Sequence, residues 1–297
     1  MVFFPARRIG VVIGAAMACL ALVCAVLLAW RITAQPLSFA SFTAALVALG
    51  MLLLALLFGY WTWGCFSLAY RLSRNALVVE WAGNQQRIPL AEVTALAPGR
   101  SLPLPVGLTG LGWPGYRIGR GMVQGVPVLI MASYERAADL LYVHTARMVY
   151  AVSPGDAEHL AMEIKRRQEM GPSTAEVQRV RRWLLWDISA WHDKVAVGLL
   201  LAALVLNLAV FAYETFLMPA VPDETILHLT PLGLVDRSGP KAELLLLPLA
   251  GLAMLLVNAT IGMLLHLWER FAAYLALSAG VVMQGLVFAA AFRLLNP

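Results

Sequence analysis

Three groups of side chains in this sequence have types and spacings that could do chemistry. Arg100, Arg117 and Arg120 lie in one stretch rich in glycine and proline, with Trp113 and Tyr116 between them. A guanidinium binds phosphate through two parallel hydrogen bonds, and an aromatic ring beside it can enter a headgroup layer. These five residues are therefore the candidate contact with lipid headgroups or a partner, although three solvated arginines also attract acidic lipid without forming any pocket. In the same stretch Gly110-Leu-Gly-Trp-Pro-Gly115 has the G-x-G-x-x-G spacing that lets a pyrophosphate approach a helix N-terminus. Its setting argues against that use, because no buried strand precedes it, Pro114 interrupts it, and Tyr116 to Gly121 does not read as a helix. The glycines are expected to serve turns in a surface loop, which Trp113 and Tyr116 pack down or press against lipid.

The second group is His228, Asp236 and Lys241, beside Arg237. One histidine and one aspartate are too few for a metal, which takes three or four ligands, so a hydrogen-bonded turn is the expected use. The third group is Cys19, Cys24 and Cys65, all in or beside apolar runs, with no C-x-x-C pair for a disulfide framework or a zinc site. His144, His159, His192 and His266 are scattered and read as structural. No nucleophile-elbow sequence and no paired carboxylates occur, so no catalytic residue, metal or cofactor is assigned and the chain reads as non-enzymatic.

The elements that must position these groups follow from composition. Of 297 residues, 61% are hydrophobic and 13% charged, with a mean hydropathy of +0.76, whereas a soluble domain is about a quarter charged. About 20 apolar residues in helix cross a bilayer core. Five stretches qualify: Ile9 to Trp30, Phe42 to Phe66, Val195 to Tyr213, Leu244 to Leu267 and Phe271 to Phe292. The first is longer than a signal-peptide core and is read as a retained anchor, with Gly10, Gly14 and Ala18 spaced to let another helix come close. Within the spans the polar residues are Asn207, Asn258, Thr260, Ser278 and Gln284, with no ionisable group in mid-span, so interhelical hydrogen bonds are expected rather than an ion path.

Arginine and lysine resist translocation and mark the cytoplasmic side. With the N-terminus inside, eighteen of the 22 Lys and Arg fall inside, and only Arg31, Arg237, Lys241 and Arg293 fall outside. The expected location is thus the bacterial inner membrane, N-terminus in and C-terminus out.

Residues 71–171 are polar enough to form one small domain. Ala76 to Trp81, a Gly83-Asn84 turn and Gln85 to Pro89 read as a hairpin. Strands in Pro98 to Gly125 can only be short, whereas Val126 to Ser133, Leu140 to Thr145 and Met148 to Val152 read as strands. A helix to about Gln168 then opens at Ser153-Pro154-Gly155-Asp156, where Ser153 can cap and Asp156 complements the dipole. In order, Arg71-Leu-Ser-Arg-Asn-Ala-Leu-Val-Val-Glu-Trp, Ile88-Pro-Leu-Ala-Glu-Val, Trp113-Pro-Gly-Tyr-Arg-Ile-Gly-Arg-Gly and Tyr150-Ala-Val-Ser-Pro resemble the bacterial pleckstrin-homology-like domain family. The resemblance covers about a third of the chain. It implies a bent antiparallel sheet plugged by a C-terminal helix, without implying phosphoinositide binding.

Ser173-Thr-Ala-Glu176 has capping-box spacing, and Val177, Val180, Leu184, Ile188, Trp191 and Val195 then repeat at three and four residues, which predicts an amphipathic linker helix over 172–194. The outer loop at 217–243 resembles a domain of unknown function found in membrane proteins of bacterial toxin immunity and signalling. That likeness rests on His228, Asp236 and Lys241 ahead of a span, with His228-Leu229-Thr230 departing from the usual H-F-(N/D).

The whole reads as a multi-pass α-helical membrane protein of five spans with an inserted α+β pleckstrin-homology-like domain. Two spans occupy 1–70, the domain 71–171, the linker 172–194 and three spans 195–297. The expected role is a membrane-tethered scaffold or sensor whose partners are membrane lipids, with a protein partner or a second copy of the chain as further candidates and nucleic acid excluded. The alternative is a transport, toxin-immunity or signalling protein acting through its transmembrane bundle.

Overall fold

The computed structural model describes residues 1–101, 106–133, 139–171, 173–174, 178–181, 189–229 and 235–296. Among the described residues, five helices are long and apolar enough to cross a membrane, as the run lengths predict: α1 (Arg8–Thr33), α2 (Phe39–Ser67), α4 (Lys194–Leu217), α5 (Leu246–Leu265) and α6 (Arg270–Leu295). At about 1.5 Å per residue, each is long enough for about 30 Å of hydrocarbon. A further helix, α3 (Ala157–Glu169), is amphipathic and belongs to the polar domain. The chain divides into two compact units, Met1–Cys24 with Met51–Trp183, and Ala25–Gly50 with Leu184–Pro297.

The first unit carries two sheets. One joins β1 (Val2–Phe3), β2 (Ala69–Leu72), β3 (Ala76–Trp81), β4 (Asn84–Pro89) and β11 (Arg179–Arg181) in the order β1-β2-β3-β4-β11. The other joins β5 (Val93–Pro98), β6 (Val106–Trp113), β7 (Tyr116–Val123), β8 (Val126–Ala132), β9 (Leu141–Thr145) and β10 (Val149–Val152) in the order β5-β9-β10-β8-β7-β6. All ladders are antiparallel except β8 with β10, which run parallel because the β9–β10 hairpin inserts between β5 and β8. One core links both sheets to α3: Tyr70, Leu77, Val79, Ile88, Val143, Tyr150 and Val152 pack with Leu160 and Ile164. Leu160 and Ile164 are four apart on α3, so both point the same way and the helix plugs the sheets as expected.

Several local expectations change. The hairpin turn centres on Ala82 and Gly83, both at positive φ, and the Ala82 amide donates to Ser67 Oγ at 2.9 Å. Pro98 to Gly125 holds two eight-residue strands rather than short ones, since Gly110 and Gly119 face each other with backbones close enough that no side chain would fit between. The cap of α3 is Asp156, whose Oδ1 accepts from the His159 amide at 2.9 Å. Ser153 is instead used between strands, where its Oγ accepts from the Ser133 amide at 2.8 Å and donates to the Ser133 carbonyl at 2.9 Å.

The linker helix expected over 172–194 is corrected where it is described. Arg179–Arg181 is strand β11, antiparallel to β4, because its backbone completes the open edge of that sheet. Ser173 donates through its amide and hydroxyl to Asn75 Oδ1, and its Oγ accepts from Asn75 Nδ2. Ser189–His192 is a single 3-10 turn before α4. Glu176, Val177, Leu184 and Ile188 lie outside the described residues.

In the second unit α4, α5 and α6 form a bundle in which Asn207 and Gln284 are fully buried. Asn207 Nδ2 donates to Gln284 Oε1 and to the Pro248 carbonyl, both at 3.0 Å, and Gln284 Nε2 donates to the Gly251 carbonyl at 2.7 Å. These interhelical bonds are the use expected of neutral amides in a span. Strands β12 (Glu224–Leu229) and β13 (Val235–Pro240) form a hairpin between α4 and α5.

Candidate functional site

The arginines of the candidate headgroup contact are not brought together. Arg100 is exposed in a 3-10 turn after β5, whereas Arg117 and Arg120 are on β7, and three strands separate β5 from β7 in the sheet order. Arg117 and Arg120 are three apart on one strand, so they point to opposite faces. Arg120 is exposed and Arg117 half-buried.

Of the two uses expected of Trp113 and Tyr116, both rings pack the glycine turn down rather than facing outward. They flank the two-residue turn Pro114-Gly115 at the end of β6 and β7 and are 9% and 0% exposed. Gly115 takes φ +78°, a conformation open to glycine, and its Cα approaches the Gly10 amide so closely that an added Cβ would lie 3.0 Å from that nitrogen. Trp113 Nε1 donates to the Gly10 carbonyl at 2.9 Å. The Tyr116 hydroxyl accepts from Trp81 Nε1. Around them pack Val11 and Ile13 of α1, Phe58, Trp61 and Cys65 of α2, and Leu111 and Ile118 of the strands.

This junction uses the small-residue spacing on α1 for two different neighbours. A Cβ on Gly14 would collide with Thr62 of α2 and come within 2.9 Å of the Trp113 ring, and one on Gly10 would meet Cys65, the Gly115 carbonyl and Tyr116. Gly64 of α2 does the same under Trp81 and the Tyr116 hydroxyl. Two buried aromatic rings each remove about 150–250 Å² from solvent, so the contact contributes several kcal/mol. Burial pushes the Tyr116 phenol well above its ordinary range, and likewise that of Tyr70, whose hydroxyl donates to the Met131 carbonyl at 2.8 Å. Both are hydrogen-bonding posts rather than acids near neutrality. Ser133 completes the junction, its Oγ lying 2.8 Å from the Ala6 carbonyl and 2.7 Å from the Gly115 carbonyl. The chain just before α1 also enters the sheet, as Val2 and Phe3 pair with Arg71 and Tyr70.

The outer-loop residues split into two pairs. His228 Nδ1 lies 2.9 Å from Asp236 Oδ2 on the β12–β13 hairpin, with both side chains more than half exposed. Lys241 pairs instead with Asp223 at 2.8 Å, and its ammonium holds the Asp223 carboxyl below its ordinary range. His228 and Asp236 thus pair across the β12–β13 ladder, and the turn between the strands lies outside the described residues.

Two polar sites of the second unit escape the sequence reading. Asp193 caps α4, its Oδ1 accepting from the Val195 and Ala196 amides at 2.9 and 3.3 Å. Its Oδ2 also accepts from Tyr274 Oη at 2.6 Å and lies 3.0 Å from Nε2 of the buried His266. One carboxylate thus gathers the start of α4, the end of α5 and the start of α6. Bonds from His266 and then Tyr274 hold it well below the ordinary carboxylate range. Aspartate directly before an apolar run was the available signal, as an N-cap. The other site is Glu214, 1% exposed inside α4, with Oε2 making no hydrogen bond among the described residues. It stands one residue beyond the expected end of its span at Tyr213, in the last turn of α4, so the reading that no ionisable group lies in mid-span holds for this helix.

Among the curated proteins and among the solved structures, none is significantly similar to this chain. Residues 68–168, however, match the family model described as a Bacterial PH domain, so the sheet domain that follows the second apolar helix is a bacterial PH-like domain carried by a membrane protein.

Proposed function

We propose that the protein is a non-enzymatic scaffold or sensor of the bacterial inner membrane, whose PH-like domain engages lipid headgroups or a protein partner on the cytoplasmic side. The observation that carries this reading is the junction at Gly10, Gly14, Trp113 and Tyr116, which packs the domain onto the ends of its own membrane helices. A domain held in that way passes displacement to or from the spans, which is what a sensor requires. The eighteen-to-four distribution of Lys and Arg supports the cytoplasmic placement. The test is recovery of the intact protein in mild detergent, with mass spectrometry of the lipids and proteins retained. A specific protein or lipid class that is lost when residues 76–170 are removed supports the reading, and retention of neither overturns it. Reporter fusions at the C-terminus check the orientation: alkaline phosphatase activity is expected there, and a fluorescent cytoplasmic reporter there would reverse it.

One observation favours the second reading, a transport, immunity or signalling role within the bundle. A buried carboxyl such as that of Glu214 is costly in a span and marks function by default. Ion flux in reconstituted vesicles that Glu214→Gln abolishes would favour this reading over the scaffold.

A further inference from the structure

At the end of the domain where β2 turns into β3, a cavity of about 220 Å³ is lined by Arg74, Asn75, Leu90, Ala91, Arg167 and Gln168. The lining contains two guanidinium groups and two carboxamides and no carboxylate. Three separate parts of the fold supply it: the β2–β3 turn, the 3-10 turn at Leu90–Glu92, and the last turn of α3. From this arrangement we propose that the cavity is a binding site for a phosphomonoester.

The two carboxamides shape the lining and have their N–H groups committed, Asn75 Nδ2 to the Ser173 and Thr174 hydroxyls and Gln168 Nε2 to backbone carbonyls, so the donors open to a ligand are the guanidinium groups. Asn75 is fixed, since its Oδ1 accepts from the Ser173 amide and its own carbonyl accepts from the Leu90 amide at 2.8 Å. Gln168 is fixed by Nε2 donating to the Leu90 and Val93 carbonyls, both at 2.9 Å. Arg167 is 15% exposed and is braced by Glu163, leaving Nη2 on the weak acceptor Met1 Sδ at 3.5 Å. Arg74 is exposed and makes no hydrogen bond or ion pair among the described residues. A doubly charged phosphate offers what this lining lacks, an anion, and a guanidinium can grip two of its oxygens with two parallel bonds. Basic residues in a last helical turn also offset the helix dipole, but Arg74 is on a different element and gains nothing from that. The volume leaves room for an organic substituent beside the phosphate.

The phosphomonoester comes either from a soluble metabolite or from a lipid headgroup. β2 carries the chain about 13 Å onward from α2 before the turn, which favours the soluble source. This site is separate from Arg100, Arg117 and Arg120, and it stands whichever partner the domain engages.

The test uses the full chain in nanodiscs of phosphatidylcholine, titrated with glycerol 3-phosphate and followed by calorimetry, with inorganic phosphate as competitor. Saturable binding is expected, weakened about tenfold or more by Arg74→Ala and partly restored by Arg74→Lys. Arg71→Ala, on the adjoining strand and paired with Glu80, is expected to leave it unchanged. In the second arm phosphatidic acid is added to the nanodiscs. If it displaces glycerol 3-phosphate in an Arg74-dependent way the headgroup is the source, and if it does not the soluble ligand is. No saturable binding of either ligand, or binding indifferent to Arg74→Ala, overturns the proposal.

Discussion

Two glycines on α1 decide how closely the strands can approach the helices. An alanine at Gly14 puts a Cβ against the Thr62 side chain and 2.9 Å from the buried Trp113 ring, so both side chains must shift. Gly14→Ala is expected to destabilise the protein by about 1–3 kcal/mol, read as a lower Tm in detergent. Gly50→Ala, with nothing within 4 Å of the new atom, should not lower it. Asp193 carries a pH dependence whose sign is fixed by its bonds to His266 and Tyr274, which depress its folded-state pKa. Its stabilising effect is complete above the unfolded carboxylate value of about 3.9 and declines as pH falls below it toward the folded value. Asp193→Asn should therefore lower Tm at pH 7, with the gap from the native protein closing on acidification below about pH 4.

At the scale of elements, β11 is held at a sheet edge by its ladder to β4 and by Tyr150, whose hydroxyl accepts from Gln86 and from Gln178 just before the strand. Tyr150→Phe removes that acceptor and leaves two carboxamides short of a partner, a cost of about 1–3 kcal/mol. Amide hydrogen exchange at Arg179–Arg181 should speed up in this variant, while β3 keeps its protection. The spans were legible because uncharged length is itself the energetic quantity that selects a membrane helix. β11 was not, since Val180 fits a helical stripe in sequence and the ladder that overrides it is made by backbone groups of a distant strand. Trp113 and Tyr116 look the same in sequence whether they face lipid or protein. Their burial is decided by Gly10, 103 residues before Trp113, and by Gly64. The strands β6 and β7 were masked by glycines that lower strand propensity but here permit close pairing at Gly110 and Gly119. The three arginines are not gathered because a period of two sends Arg117 and Arg120 to opposite faces.

Over the whole molecule, the first unit carries clusters around Tyr70, Tyr150 and Leu160, around Ile130 and Tyr142, and around Trp113 and Tyr116, and the second unit carries one around Val210, Val287 and Ala291. Calorimetry should resolve two unfolding transitions, of which Gly14→Ala lowers one and Asp193→Asn the other; a single transition shifted by both would refute this division. Between the last residue of α2 and the first of β2 there is only Leu68, and it is fully buried. The domain consequently has no swivel. In a bilayer its tumbling is that of the helices themselves, so a spin label on β3 should report slow, anisotropic rotation about the membrane normal. Whatever the domain grips is then presented to the lipid surface at one fixed azimuth, set by the roll of α2.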